Sequence, residues 1–195
     1  CPMAMAKTIL RVALAACASA HAAEAATRVF IVDGNNARLR FSCDVLGLSE
    51  VEGAFTRFVA MVAIDEQAPG ETRTVVKIDA ASLTTDHTSW IEDLKGPDFF
   101  DVARYPIVDF TSFTAVVEAP GVLSIPGKLT LRGVTQPVSL RVEYQLPEQT
   151  GTGYGTMKAA AELDRTAFGM DAYDLVLSDD VSIEVKGSVV MGFGQ

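Results

Sequence analysis

Basic charge is scarce in this chain and is never gathered. Sixteen Lys and Arg stand against 25 Asp and Glu, a net charge of −9, with no basic run anywhere. That argues against nucleic acid, which demands a basic face, and against docking on anionic lipid headgroups. Histidine occurs twice and cysteine three times, so a zinc site or a nucleophilic triad has little to be built from. Apolar runs are short, and none is long enough to cross a bilayer as a helix. What is there is globular. The 195 residues are 49% hydrophobic and 21% charged, enough for one well-packed domain and short for two.

The stretch MAMAKTILRVALAACASAHAAEA stands apart from the rest. Lys7 and Arg11 make a positive start, residues 12–20 a short apolar core, and Ala20-His21-Ala22 or Ala23-Glu24-Ala25 an A-x-A-like cleavage site. The expectation is a secretory signal over residues 1–22, with cleavage as late as residue 25, followed by one domain over residues 23–195. The alternative is a lipobox, LAAC, with a lipid on Cys17. Only three apolar residues separate Arg11 from Ala15 and Ala16, short for that reading. Export of this type points to a Gram-negative periplasm. Without residues 1–22 the chain keeps 14 basic and all 25 acidic residues, a net charge of −11. Cys43 and His87 are then the lone cysteine and histidine, so no intramolecular disulfide can form although export suits one.

Beyond the signal, alternation dominates. VSLRVEYQL puts Val138, Leu140, Val142, Tyr144 and Leu146 on one face and Ser139, Arg141, Glu143 and Gln145 on the other. DVSIEVKG does the same with Val181, Ile183 and Val185, and NARLRFSCDV with Ala37, Leu39, Phe41, Cys43 and Val45. A period of two means strands with one wet face. Weaker alternation runs through 28–32, 72–79, 107–118, 122–131 and 157–164. FTRFVAMVAI is apolar on both faces, so its outward side should be covered. Turn residues fall between: Gly34-Asn35-Asn36, Ala68-Pro69-Gly70, Ala119-Pro120-Gly121 and Gly151-Thr152-Gly153. Eight or nine strands with one helical interruption predict an all-β, antiparallel barrel or sandwich.

The interruption is residues 82–106. Thr85 or Asp86 is placed to cap a short helix carrying Trp90, Ile91 and Leu94 on one face. Asp98 is placed to cap a second turn holding Phe99, Phe100 and Val102, and Pro106 ends it. Two short helices with an aromatic underside suit a lid over one barrel end.

IDAASLTTDHTSWIEDLKGPDFFDVARYPIVDFTS followed by IPGKLTLRGVTQPVSL resembles the YceI-like family of exported, lipocalin-like proteins. LGLSEVEGAF and ELDRTAFGM resemble its early and late motifs, and the resemblance covers residues 29–189. It implies an antiparallel, lipocalin-like β-barrel of about eight strands. An elongated apolar interior would bind polyisoprenoid-type lipids, isoprenoid quinones or prenyl diphosphates among them, with no catalytic residues and no cofactor. Where many family members carry a histidine before LG, this chain has Val45, so headgroup choice here can differ.

The inward set expected to line the interior is Phe41, Cys43, Val45, Phe55, Phe58, Val62, Phe110, Leu129, Leu131, Leu140 and Val142, with Phe99 and Phe100 closing the end. Arg132 and Arg165, at strand ends within family-like motifs, are candidate headgroup contacts; a rim salt bridge with a nearby Asp is the plainer reading. His87 reads as a cap or surface residue and Cys43 as a small core hydrophobe. Pairs such as Glu92/Asp93, Asp98/Asp101 and Asp179/Asp180 read as solvation and capping. GTGYG (151–155) lacks the flanks of a phosphate loop and reads as a hairpin turn. An eight-stranded barrel sits at the boundary between a filled core and a ligand cavity, so alternation alone leaves both open. The readings carried forward are a lipid carrier, a solid-barrel module binding another exported protein, and a lipid-acting enzyme. Pairing of two copies is left open.

Overall fold

The computed structural model describes residues 27–65, 68–145 and 155–192, and of residues 190–192 the backbone only. The signal, the lipobox cysteine and the Gly151-Thr152-Gly153 turn lie outside the described residues. In chain order the strands are β1 (Thr27–Asp33), β2 (Ala37–Val45), β3 (Ser49–Phe55), β4 (Phe58–Asp65), β5 (Arg73–Asp79) and β6 (Leu83–Thr85). After α1 (Ile91–Lys95) come β7 (Ile107–Ser112), β8 (Val116–Ala119), β9 (Val122–Leu131), β10 (Val134–Gln145), β11 (Gly155–Asp164) and β12 (Leu177–Gly192). All pairings are antiparallel.

Twelve strands stand where about eight were expected, and the topology explains why. The order β1-β4-β5-β7-β9-β10-β11-β12 closes on itself through β1 and β12, where Ile31 faces Val190 and Val29 faces Gly192. That ring has eight members. β2, β3 and β6 are the continuations of β1, β4 and β5 beyond breaks at 34–36, 56–57 and 80–82. The breaks lie side by side: Gly34 lies against the Thr56 carbonyl, and the breaks at 56–57 and 80–82 are bonded to each other. Thr56 N–H donates to the Ser82 carbonyl at 3.3 Å, Arg57 N–H to Ser82 Oγ at 3.0 Å, and Asp79 N–H to the Arg57 carbonyl at 3.0 Å. A barrel wall bends at such a seam without leaving buried backbone groups unpaired.

Alternation sets the inside. Along β2, Ala37, Leu39, Phe41 and Cys43 are buried while Arg38, Arg40 and Asp44 are exposed. Two rings rest against glycines of nearby strands: a Cβ on Gly53 would lie 2.2 Å from Phe41 Cζ, and one on Gly127 would lie 2.4 Å from Phe110 Cζ. The aromatics occupy the volume that side chains there would take.

Three local expectations are corrected. Val59 and Met61, on the outer face of FTRFVAMVAI, are 41% and 49% exposed rather than covered, because none of the described residues forms a second layer on β4. Neither Thr85 nor Asp86 caps α1: its N-cap is Trp90, with no side-chain bond, while Thr85 Oγ1 accepts from His87 N–H at 3.2 Å. Residues 97–100 form turns, not a second helix capped by Asp98. Their amides bond back to Gly96 and Leu94 instead, Asp101 N–H meeting the Gly96 carbonyl at 2.8 Å and Phe100 N–H the Leu94 carbonyl at 3.0 Å. The lid is therefore one turn of 3-10 helix at Thr88–Trp90, the five-residue α1 and a chain of turns.

Candidate functional site

A cavity of about 210 Å³ runs inside the ring and under the lid. Its wall takes side chains from every member of the ring, from β2 and β3, and from residues 90–100. Phe41, Cys43, Phe55, Phe58, Val62, Phe99, Phe100, Phe110, Leu129, Leu131, Leu140 and Val142 all belong to it. Val45 does not: it packs against the core near the rim, since β2 pairs there with Leu177 at the mouth of the barrel.

Hollowness shows in the burial pattern. Val138, Leu140, Val142 and Tyr144 on β10, and Val181, Ile183 and Val185 on β12, alternate strictly yet are only half-buried. All seven are in the cavity wall, so their remaining exposure faces the void. On β11 the inward Ala159 and Ala161 are buried but small, which takes volume away from the core where the ring crosses from β10 to β12. An apolar cavity of ~150 Å³ already holds benzene. By that measure, 210 Å³ takes on the order of eight carbons of a longer chain.

The lid is held by aromatics and one arginine. Phe100 meets Phe55 edge-on at 5.4 Å and Phe41 at 5.8 Å between ring centroids. Phe99, buried, stacks on Tyr173 at 6.0 Å, and Trp90 lies 6.2 Å from the same ring. Tyr173 comes from the loop before β12, which alternation did not mark. Arg132 donates to the Pro97 carbonyl at 2.8 Å and to the Gly169 carbonyl. It thus ties the lid to the β11–β12 loop.

Arg165 is in the cavity wall and 2% exposed. Its five donors go to the carbonyls of Ser178 (2.8 Å), Met170, Ala172 (2.8 Å) and Leu177 (3.1 Å), and to Asp179 Oδ1 at 3.3 Å. Guanidinium has five N–H groups and no more. The headgroup role considered for Arg165 is therefore corrected in favour of the plainer reading: four of its hydrogens go to loop backbone and one to the Asp179 carboxylate. Cys43 Sγ donates to the Ser178 carbonyl at 3.2 Å. Burial pushes its thiol above the ordinary range, and the Arg165 guanidinium offsets part of this. His87 is exposed, as are Glu92, Asp93, Asp98, Asp179 and Asp180. Among the described residues no group of three or more His, Cys, Asp or Glu is placed to hold a metal.

One polar group in the wall was not marked by the sequence. Thr74, on the inner face of β5 and 2% exposed, has a hydroxyl with no hydrogen-bond partner. The weak alternation of 72–79 puts it inward, but a threonine there is indistinguishable by sequence from one that bonds its own strand.

The comparisons with known proteins agree with this geometry. Residues 30–189 match the model of the YceI-like domain. A UPF0312 protein of Vibrio cholerae is 33% identical over 186 residues, 94% of this chain and 98% of its own. Protein YceI of Escherichia coli is 36% identical over 146 residues, 75% of each chain. Among solved structures, BcnA of Burkholderia cenocepacia superposes with a TM-score of 0.72 at 24% identity, over 82% of this chain and 99% of that one. A polyisoprenoid binding domain from Saccharophagus degradans gives 0.61 at 13% identity, over 86% and 100%. With an antiparallel barrel and its motifs in these positions, the chain belongs to the YceI-like family.

Proposed function

We propose that this protein is an exported, periplasmic carrier that holds an amphiphilic polyisoprenoid-type lipid inside its barrel. The observation that carries the reading is the cavity itself: about 210 Å³ of space walled almost wholly by apolar side chains and closed by aromatics of residues 90–100. Water gains nothing there, since a buried water needs two to four polar partners. A hydrocarbon chain gains about 0.8 kcal/mol for each CH₂ removed from water. Several such groups give tight binding without a charged contact. The Saccharophagus domain, described as polyisoprenoid binding, supports the same reading at the level of ligand class, and the segment at residues 1–22 supports export. Binding, not turnover, is the role assigned: among the described residues the one buried thiol is pushed toward its unreactive protonated form, and His87 stands exposed.

The test is extraction. Protein purified from its exporting host without detergent should release a prenyl-type lipid on denaturation, seen by native and then lipid mass spectrometry. Empty protein that also fails to take up added prenols or quinones overturns the carrier reading.

A further inference from the structure

Two turns at the lid end of the barrel carry apolar side chains that the fold does not bury. β2 passes into β3 there through residues 46–48, and β11 leads into β12 there through residues 165–176. Among the described residues the two most exposed large apolar residues are Leu48 and Leu175, each 87% exposed, one on each turn. Leu46 is 63% exposed, and its N–H donates to the Val176 carbonyl at 2.9 Å, so the turns lie side by side. A lone surface leucine needs no explanation, whereas a contiguous apolar patch marks a contact surface.

Turn chemistry does not account for Leu46. Leu48 N–H donates to the Val45 carbonyl at 3.0 Å, closing a turn whose central residues, Leu46 and Gly47, have φ of 53° and 67°. Two positive φ angles are the pattern of a type I′ turn, in which Asn-Gly is strongly preferred. A leucine in that left-handed region is unfavourable, and its exposure returns nothing to the fold.

The patch adjoins the covered end of the cavity. Tyr173, two residues before Leu175, stacks on Phe99 of the lid at 6.0 Å. Leu177 lines both the cleft between the two turns and the cavity itself. Charge narrows what can seat there. Asp44, Glu50, Asp171 and Asp174 flank the leucines and are exposed, and neither residues 44–55 nor residues 166–185 contain a Lys or Arg. Two such ends repel each other, and an anionic bilayer repels either one. A zwitterionic bilayer has no net charge, and its ammonium groups complement the carboxylates. Apolar side chains that stand clear of the protein enter such an interface by hydrophobic transfer.

We propose that Leu46, Leu48 and Leu175 form a docking surface that seats the lid end of the barrel on a zwitterionic bilayer. Prenyl lipid then passes between bilayer and cavity without exposing its hydrocarbon to water. The proposal rests on the carrier reading and gives the carrier a place to load.

Flotation with phosphatidylcholine vesicles tests it on three proteins: wild type, Leu46→Asn, and a double variant with Leu48→Asp and Leu175→Asp. Wild type should float with the vesicles. Each leucine lost should lower the partition coefficient roughly tenfold or more. Leu46→Asn should do so while matching or raising the melting temperature, because asparagine suits the turn; a leucine needed only for folding would not separate the two readouts. Phosphatidylglycerol mixed into the vesicles should weaken wild-type binding, more so at low salt. All three proteins should bind farnesol alike from solution, since the three leucines are not in the cavity wall. Uptake from farnesol-loaded vesicles should be slower in the variants. Wild type that does not float, variants that float equally well, or a preference for phosphatidylglycerol overturns the docking surface, while farnesol binding in the same samples leaves the carrier reading standing. A wild-type dimer that the substitutions split, without flotation, gives the patch to a second copy and overturns the bilayer. Flotation lost in the variants, with farnesol bound by none of the proteins, overturns the carrier reading and leaves the surface.

Discussion

Cys43 and Arg165 illustrate how a residue's chemistry is set by what surrounds it. Cys43 lies in the cavity wall with its thiol donating to Ser178, and burial raises its pKa more than Arg165 lowers it. The protonated form is thus the folded state's form at neutral pH. Alkylation of the folded protein by iodoacetamide, followed on the Cys43 peptide by mass spectrometry, should be slower at pH 8 than for a free cysteine of pKa about 8.5. The rate should climb only as pH rises past that value. Linkage has the same sign. Above about pH 8.5 the unfolded thiol sheds its proton while the folded one keeps it, so this group's contribution to stability falls as pH rises. Bound lipid should slow labelling further, and labelling as fast as in a free peptide would refute the buried placement. From the sequence, Arg165 was an arginine at a strand end, open to a headgroup or to a nearby Asp. That all five of its donors fold the 165–179 loop around itself depends on residues it touches after folding.

At the scale of elements, alternation was the dependable signal and the breaks in it were the hidden one. β2, β10 and β12 were legible because their apolar residues recur every second position. The seam at 34–36, 56–57 and 80–82 was legible only in part, as the Gly34-Asn35-Asn36 turn, because its other members are bonded across strands rather than marked by turn residues. The lid was visible as a loss of alternation, but its form was not. α1 is too short to be fixed by propensity, and its turns are set by amide bonds and by Phe99, Phe100 and Tyr173. Glycine carries a prediction here. Gly53→Ala drives a Cβ into the Phe41 ring that also supports Phe100, and should cost about 1–3 kcal/mol by overpacking. Urea unfolding with far-ultraviolet circular dichroism measures it, and a change below 0.5 kcal/mol would contradict the packing of that ring; the threshold is about the scatter of neutral surface changes.

For the whole molecule, closure of an eight-member ring through β1 and β12 removes the free edges of that ring, and its interior is left partly vacant. A void of this size is a standing loss of packing, which a ligand can recover. Loading the barrel with farnesol at about a hundred times its Kd should stabilise the native state by about 2.7 kcal/mol, an upward shift in melting temperature of roughly 5–10 °C for a domain of this size. Calorimetry on delipidated protein with and without ligand reads it, and an unchanged melting temperature would argue that the void is not a binding site. The acidic surface should leave this shift little affected by salt, since the gain comes from apolar contact.

Local repetition and local chemistry were sufficient for the strands, the inward residues and the family motifs, because each depends on neighbours two or a few positions away. Phe41, Phe55, Phe110 and Leu129 were assigned to the interior on that ground, and they are in the wall. Only the tertiary structure decided that the wall encloses space, that Arg165 is fully engaged, that Tyr173 meets the lid, and that Thr74 is left without a partner. Those depend on how far apart side chains from distant strands come to rest when the ring closes, a distance that no stretch of neighbouring residues encodes.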